Sequence, residues 1–203
     1  MPKIGIYSGS FDPVHDGHIA FANEAAEAQG LDKVFFLVEP RPRRKQGVKA
    51  LEHRESMVRL AIKGEKRLGH IIINHARFTV LDTMPALQAR FKGSEIYFLM
   101  GDDMLHHFTD AQWPHIDEFV RAMRLIIGVR SRSMDQVADQ IKLIEETRGV
   151  RINYQTFHSS FPASASSSIR AALRRGKQPA YLNHQVYGYI QTHRLYASPA
   201  AVS

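Results

Sequence analysis

The sequence predicts an α/β protein built on a doubly wound parallel sheet with helices on both faces. Two observations carry most of that prediction. Apolar runs of strand length alternate with helical segments along the whole chain, as expected where every strand is buried on both faces. The first run leads directly into a glycine-containing turn and a helix, the arrangement of folds that bind ligands at the carboxyl ends of their strands. No repeat, linker or low-complexity tract breaks the alternation.

Taken in order, Lys3–Ser8 reads as a buried strand, and His18–Gln29 as a helix closed by Gly30. Lys33–Val38 is a second strand. Leu51–Lys63 is helical, with Met57, Leu60 and Ala61 on one face and Gly64 as its stop. His70–Asn74 is a third strand, and a helix starts at Asp82 or Thr83, where Pro85 is tolerable in the first turn. Glu95–Met100 and Arg124–Val129 are further strands. Ser133 caps a helix running to about Thr147. Val150–Gln155 is the last strand expected, Thr156–Ser168 a long polar loop, and Ser166–Arg175 and Asn183–Tyr196 closing helices.

At 203 residues, 44% apolar and 23% charged, the chain has the composition of an ordinary globular protein. Residues 1–197 are expected to form a single domain and 198–203 a disordered tail. No stretch approaches the ~18 apolar residues of a membrane span and no signal peptide is visible, so a cytoplasmic location and no membrane partner are expected. The absence of cysteine excludes disulfides, thiolate nucleophiles and Cys-based zinc sites. A net charge of +7 points to acidic partners. The densest basic cluster, Arg41–Lys45, has no interleaved aromatic residues. A single-strand stacking platform is therefore unsupported, and nucleic acid is not the expected partner.

The segment GSFDPVHDGH, Gly9 to His18, concentrates the chemistry. Gly9 and Ser10 let backbone N–H groups approach an anion, and the following helix adds the partial positive charge of its N-terminus. His15 and His18 stand about one turn apart and can donate to phosphoryl oxygens. Two readings compete with phosphate handling. The histidines could cap the helix, or bind a metal with Asp12 or Asp16 as a third ligand, although nothing else in the chain offers a matching ligand pair. G-x-x-x-x-G-K-[ST] and G-x-G-x-x-G are both absent after the first strand.

This segment is similar to the G-x-F-D-P-x-H-x-G-H signature of the HxGH nucleotidyltransferase superfamily. Other segments resemble the nicotinate (or nicotinamide) mononucleotide adenylyltransferases within it. His53-Arg54 to Met57 resembles their R-x-x-M helix, and Gly101–Leu105 with Trp113 their G-x-D-x-L…W block. Leu125–Arg130 resembles their apolar strand ending in arginine. Ala165–Arg170 resembles S-[SA]-T-x-I-R, and Val186–Tyr196 the V-x-x-Y-I…L-Y ending. Departures are Ala165 and Ser167 where serine and threonine are usual, and Arg41–Lys45 in place of P-P-H-K. Phe78–Met84 stands in place of S-Y-T-x-D-T-L with one residue too many.

The resemblance implies a Rossmann-like fold whose C-terminal helices carry a second phosphate motif. It implies transfer of AMP from ATP to the 5′-phosphate of nicotinate mononucleotide, giving deamido-NAD and pyrophosphate, with nicotinamide mononucleotide as an alternative acceptor, Mg²⁺ arriving on the ATP and no metal held by protein side chains. His15, His18 and Arg170 would act on the transferring phosphates. Gly9, Ser10, Phe11, Ser166, Ser167, Ile169, Gly101, Asp103 and Arg130 would bind ATP and its phosphates. Lys45, Phe78, Thr83 and Trp113 would meet the acceptor. Alternatives are the same chemistry on phosphopantetheine, or a nucleotide- or RNA-binding regulator without turnover. An oligomer is compatible with this reading.

Overall fold

A computed structural model describes residues 1–42, 45–73, 79–109, 115–130, 132–160 and 165–197. Six strands form one all-parallel sheet: β1 (Lys3–Gly9), β2 (Lys33–Val38), β3 (Leu68–Ile71), β4 (Glu95–Gly101), β5 (Arg124–Val129) and β6 (Asn153–His158), in the order β3-β2-β1-β4-β5-β6. The chain winds outward from β1 to β3, then returns to β1's other side and winds outward again. The reversal lies between β1 and β4, where such sheets leave a crevice outside the carboxyl ends of the strands. The expected doubly wound sheet is observed.

Seven α-helices are described: α1 (Asp16–Gln29), α2 (Leu51–Ala61), α3 (Val80–Arg90), α4 (Ile116–Ala122), α5 (Met134–Arg148), α6 (Ser166–Arg174) and α7 (His184–Thr192). A 3₁₀ segment, Asp102–Thr109, follows β4. One core cluster holds α1, α2, α6 and α7 against one face of the sheet; the other holds α3, α4 and α5 against the opposite face. Strand alternation divides the sheet between them. Val34, Phe36 and Val38 of β2 enter the first cluster and Leu37 the second. Small residues on α1, Ala22, Ala25 and Ala26, are fully buried and bring that helix close to the sheet.

Several boundaries differ from expectation for identifiable reasons. Thr79 caps α3, its hydroxyl accepting from the Asp82 N–H. The helix therefore starts at Val80, and Pro85 lies past its first turn, on an exposed position. The third strand is Leu68–Ile71 instead of His70–Asn74. Leu68 pairs with Val34, whereas Ile72 is 53% exposed and Asn74 lies outside the described residues. The last strand is shifted to Asn153–His158 because the apolar Val150 and Ile152 are buried in the turn before it. The expected loop shrinks accordingly, since Thr156–His158 complete β6 and Ser166–Ser168 open α6. α7 ends at Thr192, and the backbone of Arg194 and Tyr196 is left-handed. The tail, 198–203, lies outside the described residues.

Candidate active site

The loop after β1 is the hub of the crevice. It leaves Gly9, whose Cβ, were there one, would lie 3.1 Å from the Phe11 ring. Phe11 is buried and holds the uncommon left-handed φ of 45°. Its ring packs with Tyr7 and Phe36 of the adjacent strands and edge-on to His18 at 5.1 Å. The Asp12–Pro13 bond is cis. Asp12 is almost fully buried, and its carboxylate accepts from the Lys49 N–H at 3.2 Å and the Tyr196 hydroxyl at 2.5 Å.

His15 occupies the N-cap of α1, with His18 in the helix's first turn. The rings lie 3.7 Å apart between centroids. The His15 N–H donates to His18 Nδ1 at 3.2 Å, so in the neutral ring the proton of His18 sits on Nε2, a donor. Burial first, and then the Arg130 guanidinium, push the His15 imidazole down to about 4. Burial also takes His18 well below its ordinary value, with His15, Arg130 and Lys45 adding to the effect. Near neutral pH both rings are uncharged N–H donors set among permanent cations.

Those cations come from three other elements. Lys45, after β2, donates to the Ser10 hydroxyl at 2.9 Å. Arg130, after β5, lies over the Phe21 ring at 5.1 Å, with its Nε buried and unbonded. Arg170 of α6 donates to the Asp12 carbonyl at 2.7 Å, and the Ser166 hydroxyl to the Pro13 carbonyl at 3.0 Å. These two bonds seat the amino end of α6 against the loop. Ser167 in that first turn is exposed, and Ala165 stands at the N-cap without a side-chain bond. Such an end presents N–H groups that no helical carbonyl serves.

Gly101 ends β4 beside β1. A Cβ there would come within 2.3 Å of the Asp103 carboxylate. Arg130 and Asp103 both act on Tyr7, whose hydroxyl burial raises to about 12, so these three share one wall of the crevice. Ile169 behaves differently from expectation. Its side chain is buried in the first core cluster and its N–H donates to the Ala165 carbonyl, so it packs α6 instead of facing a ligand. Thr83 is buried on α3, against the opposite face of the sheet, where its hydroxyl accepts from the Thr79 N–H. Phe78 and Trp113 lie outside the described residues, as do Arg43 and Arg44 of the basic cluster.

Two residues central to this geometry were quoted within motifs but given no role from sequence. Arg54 of α2 is 1% exposed and donates to four backbone carbonyls: Lys49 through Nε at 2.8 Å, Ser10 and Glu39 through Nη1 at 2.8 Å each, and Pro40 through Nη2 at 2.9 Å. Its signal was available, because Arg54, Met57, Val58 and Ala61 form the buried stripe of α2. A charged residue on an apolar stripe needs partners. Tyr196 gave no comparable signal, since its partner Asp12 is 184 positions away.

The chain matches the Cytidylyltransferase-like family over residues 6–172. It is 31% identical over 206 residues to the nicotinate-nucleotide adenylyltransferase of Bacillus subtilis, an alignment covering 98% of this chain and all of the relative. Among solved structures, it superimposes with a TM-score of 0.78 on the Plasmodium falciparum nicotinic acid mononucleotide adenylyltransferase complexed with NaAD. That match is 16% identical and covers 97% of this chain and 98% of the other. The same Plasmodium enzyme complexed with APC gives 0.75 over the same coverage. No helix among the described residues is long and apolar enough to cross a membrane.

Proposed function

Because the chain belongs to the Cytidylyltransferase-like family and, within it, to the nicotinate-nucleotide adenylyltransferases, we propose that it makes a dinucleotide at the crevice around His15 and His18. The enzyme moves AMP from ATP to the 5′-phosphate of nicotinate mononucleotide, giving deamido-NAD and pyrophosphate. An oxygen of the acceptor phosphate attacks the α-phosphorus. The bond from that phosphorus to the bridging oxygen breaks, and its electron pair leaves with pyrophosphate. No protein nucleophile is needed, because the attacking oxygen is already anionic.

The protein's task is to hold two mutually repelling anions in line and stabilise the charge that develops. Alignment of this kind can be worth ~7–11 kcal/mol, and one preorganised donor ~3–4 kcal/mol. His18, with its proton on Nε2, and His15 donate to the transferring phosphoryl group. Gly9, Ser10 and Phe11 form the cradle. Ser166, Ser167 and Arg170, at the end of α6 held against that cradle, receive the β- and γ-phosphates. Arg130, Asp103 and Gly101 line the nucleotide side, and Lys45 meets the acceptor phosphate. Mg²⁺ enters as part of the Mg·ATP substrate.

The observation that carries this reading is the convergence of two neutral imidazoles, Lys45, Arg130 and Arg170 around a single loop. Pyrophosphate release from Mg·ATP, measured in parallel with nicotinate mononucleotide, nicotinamide mononucleotide and phosphopantetheine, tests it. Turnover should be fastest with nicotinate mononucleotide. Faster turnover with either rival acceptor overturns the substrate assignment, and silence with all three overturns the activity.

A further inference from the structure

The segment between β2 and α2 leaves the sheet at Pro40 and returns at Lys49. Both of those carbonyls accept from the same guanidinium: Nη2 of Arg54 reaches Pro40 and Nε reaches Lys49. Nη1 is shared between the carbonyls of Glu39, just past the end of β2, and Ser10, in the cradle. The two ends of one loop are thus pinned to each other and to the phosphate cradle by one planar group. Two further bonds run the same way: the Lys45 ammonium donates to the Ser10 hydroxyl, and the Lys49 backbone N–H to the Asp12 carboxylate.

We propose that Arg54 is a positioning residue for the acceptor: it clasps the base of the 40–49 loop so that Lys45 is presented at a fixed place over the cradle. It touches no substrate. The proposal rests on the reading of Lys45 as the acceptor-phosphate ligand. The guanidinium's shape is what the role requires. Its N–H groups diverge in one plane and satisfy four carbonyls on three segments, whereas an ammonium offers three donors from one point and cannot reach along that fork. A buried charge whose hydrogen bonds all go to neutral carbonyls is a costly way to brace a core, and Arg54 bonds only backbone that borders the crevice.

The test compares Arg54→Lys with Val58→Ala. Val58 is fully buried on the same helix, so its truncation loosens α2 without touching the clasp. Arg54→Lys should raise KM for nicotinate mononucleotide about tenfold or more while KM for ATP moves less than about threefold. Trypsin should cut Lys45–Gln46 and Lys49–Ala50 about tenfold faster than in the unaltered protein, since cleavage follows the population of the open loop. Val58→Ala, matched for Tm loss, should keep the original KM ratio and the original cleavage rate. The proposal falls if Arg54→Lys retains both, or if Val58→Ala shifts both equally. If the unaltered enzyme does not turn over nicotinate mononucleotide, the functional reading fails. The cleavage rates of the two variants then decide the clasp alone.

Discussion

Acidification should destabilise this protein measurably through His15. The imidazole is 5% exposed and titrates at about 4 in the folded chain, against 6.5 when free. A depressed folded value means that the native state binds fewer protons than the unfolded one, so stability is complete above pH 6.5 and drains away as pH falls towards 4. Integrating that difference gives a loss of about 0.8 kcal/mol at pH 6 and about 2 kcal/mol at pH 5, with a limit near 3 kcal/mol. The assay is urea unfolding of the wild type and of His15→Asn, which cannot titrate, at pH 7.5, 6 and 5. The difference between the two proteins cancels His70, also depressed to about 4 by burial and then by Arg59 and present in both, and reports His15 together with its effect on His18. Removing His15 also relieves His18 of a depressing neighbour, so the variant's own slope shallows. Matching pH slopes for the two proteins, or a His15 NMR titration midpoint at or above 6.5, would refute the reasoning. Inorganic pyrophosphate supplies a further check. Its charge opposes that of Arg130, so its binding should move the midpoint upward.

The remaining predictions concern catalysis and packing. His18→Ala removes a preorganised donor and should lower kcat by roughly a hundredfold, read from pyrophosphate release. Gly128→Ala places a Cβ 2.2 Å from the Phe21 ring and 2.9 Å from that of Phe157. It should cost about 1–3 kcal/mol in thermal unfolding, and reduce kcat/KM, since the same Phe21 ring underlies Arg130. Gly188→Ala, at an exposed position of α7 with nothing within 4 Å, should instead stabilise by about 0.5–1 kcal/mol.

Local chemistry decided which parts could be read from sequence. Lys33–Val38 and Arg124–Val129 stood out as strands because both are buried in the sheet interior as near-continuous apolar runs. Ser133 with Gln136 forms a reciprocal cap that sequence reading locates directly. The edge strand Asn153–His158 reads three residues early from the sequence, as Val150–Gln155, because its outward positions are polar and the more apolar Val150 and Ile152 precede it. Within the site, His15 and His18 were legible because one short helix start brings them together. The carbonyls gathered by Arg54, and the phenol that meets Asp12, depend on contacts between distant segments. Ile169 shows the opposite failure. It lies in the segment that resembles S-[SA]-T-x-I-R, yet helix periodicity turns its side chain to the core.

The bond between Tyr196 and Asp12 also has a consequence for biosynthesis. A ribosome delivers the cradle well before the tyrosine that steadies it, which follows 184 residues later. Until then the buried carboxylate of Asp12 lacks one of its two donors among the described residues, and Arg170 and Ser166, which also hold the loop, are themselves late arrivals. A nascent chain carrying both histidines is therefore still an unfinished enzyme. Nucleotide binding should switch on only once Tyr196 has been added, and a product stalled or truncated before that residue should fail to sequester ATP.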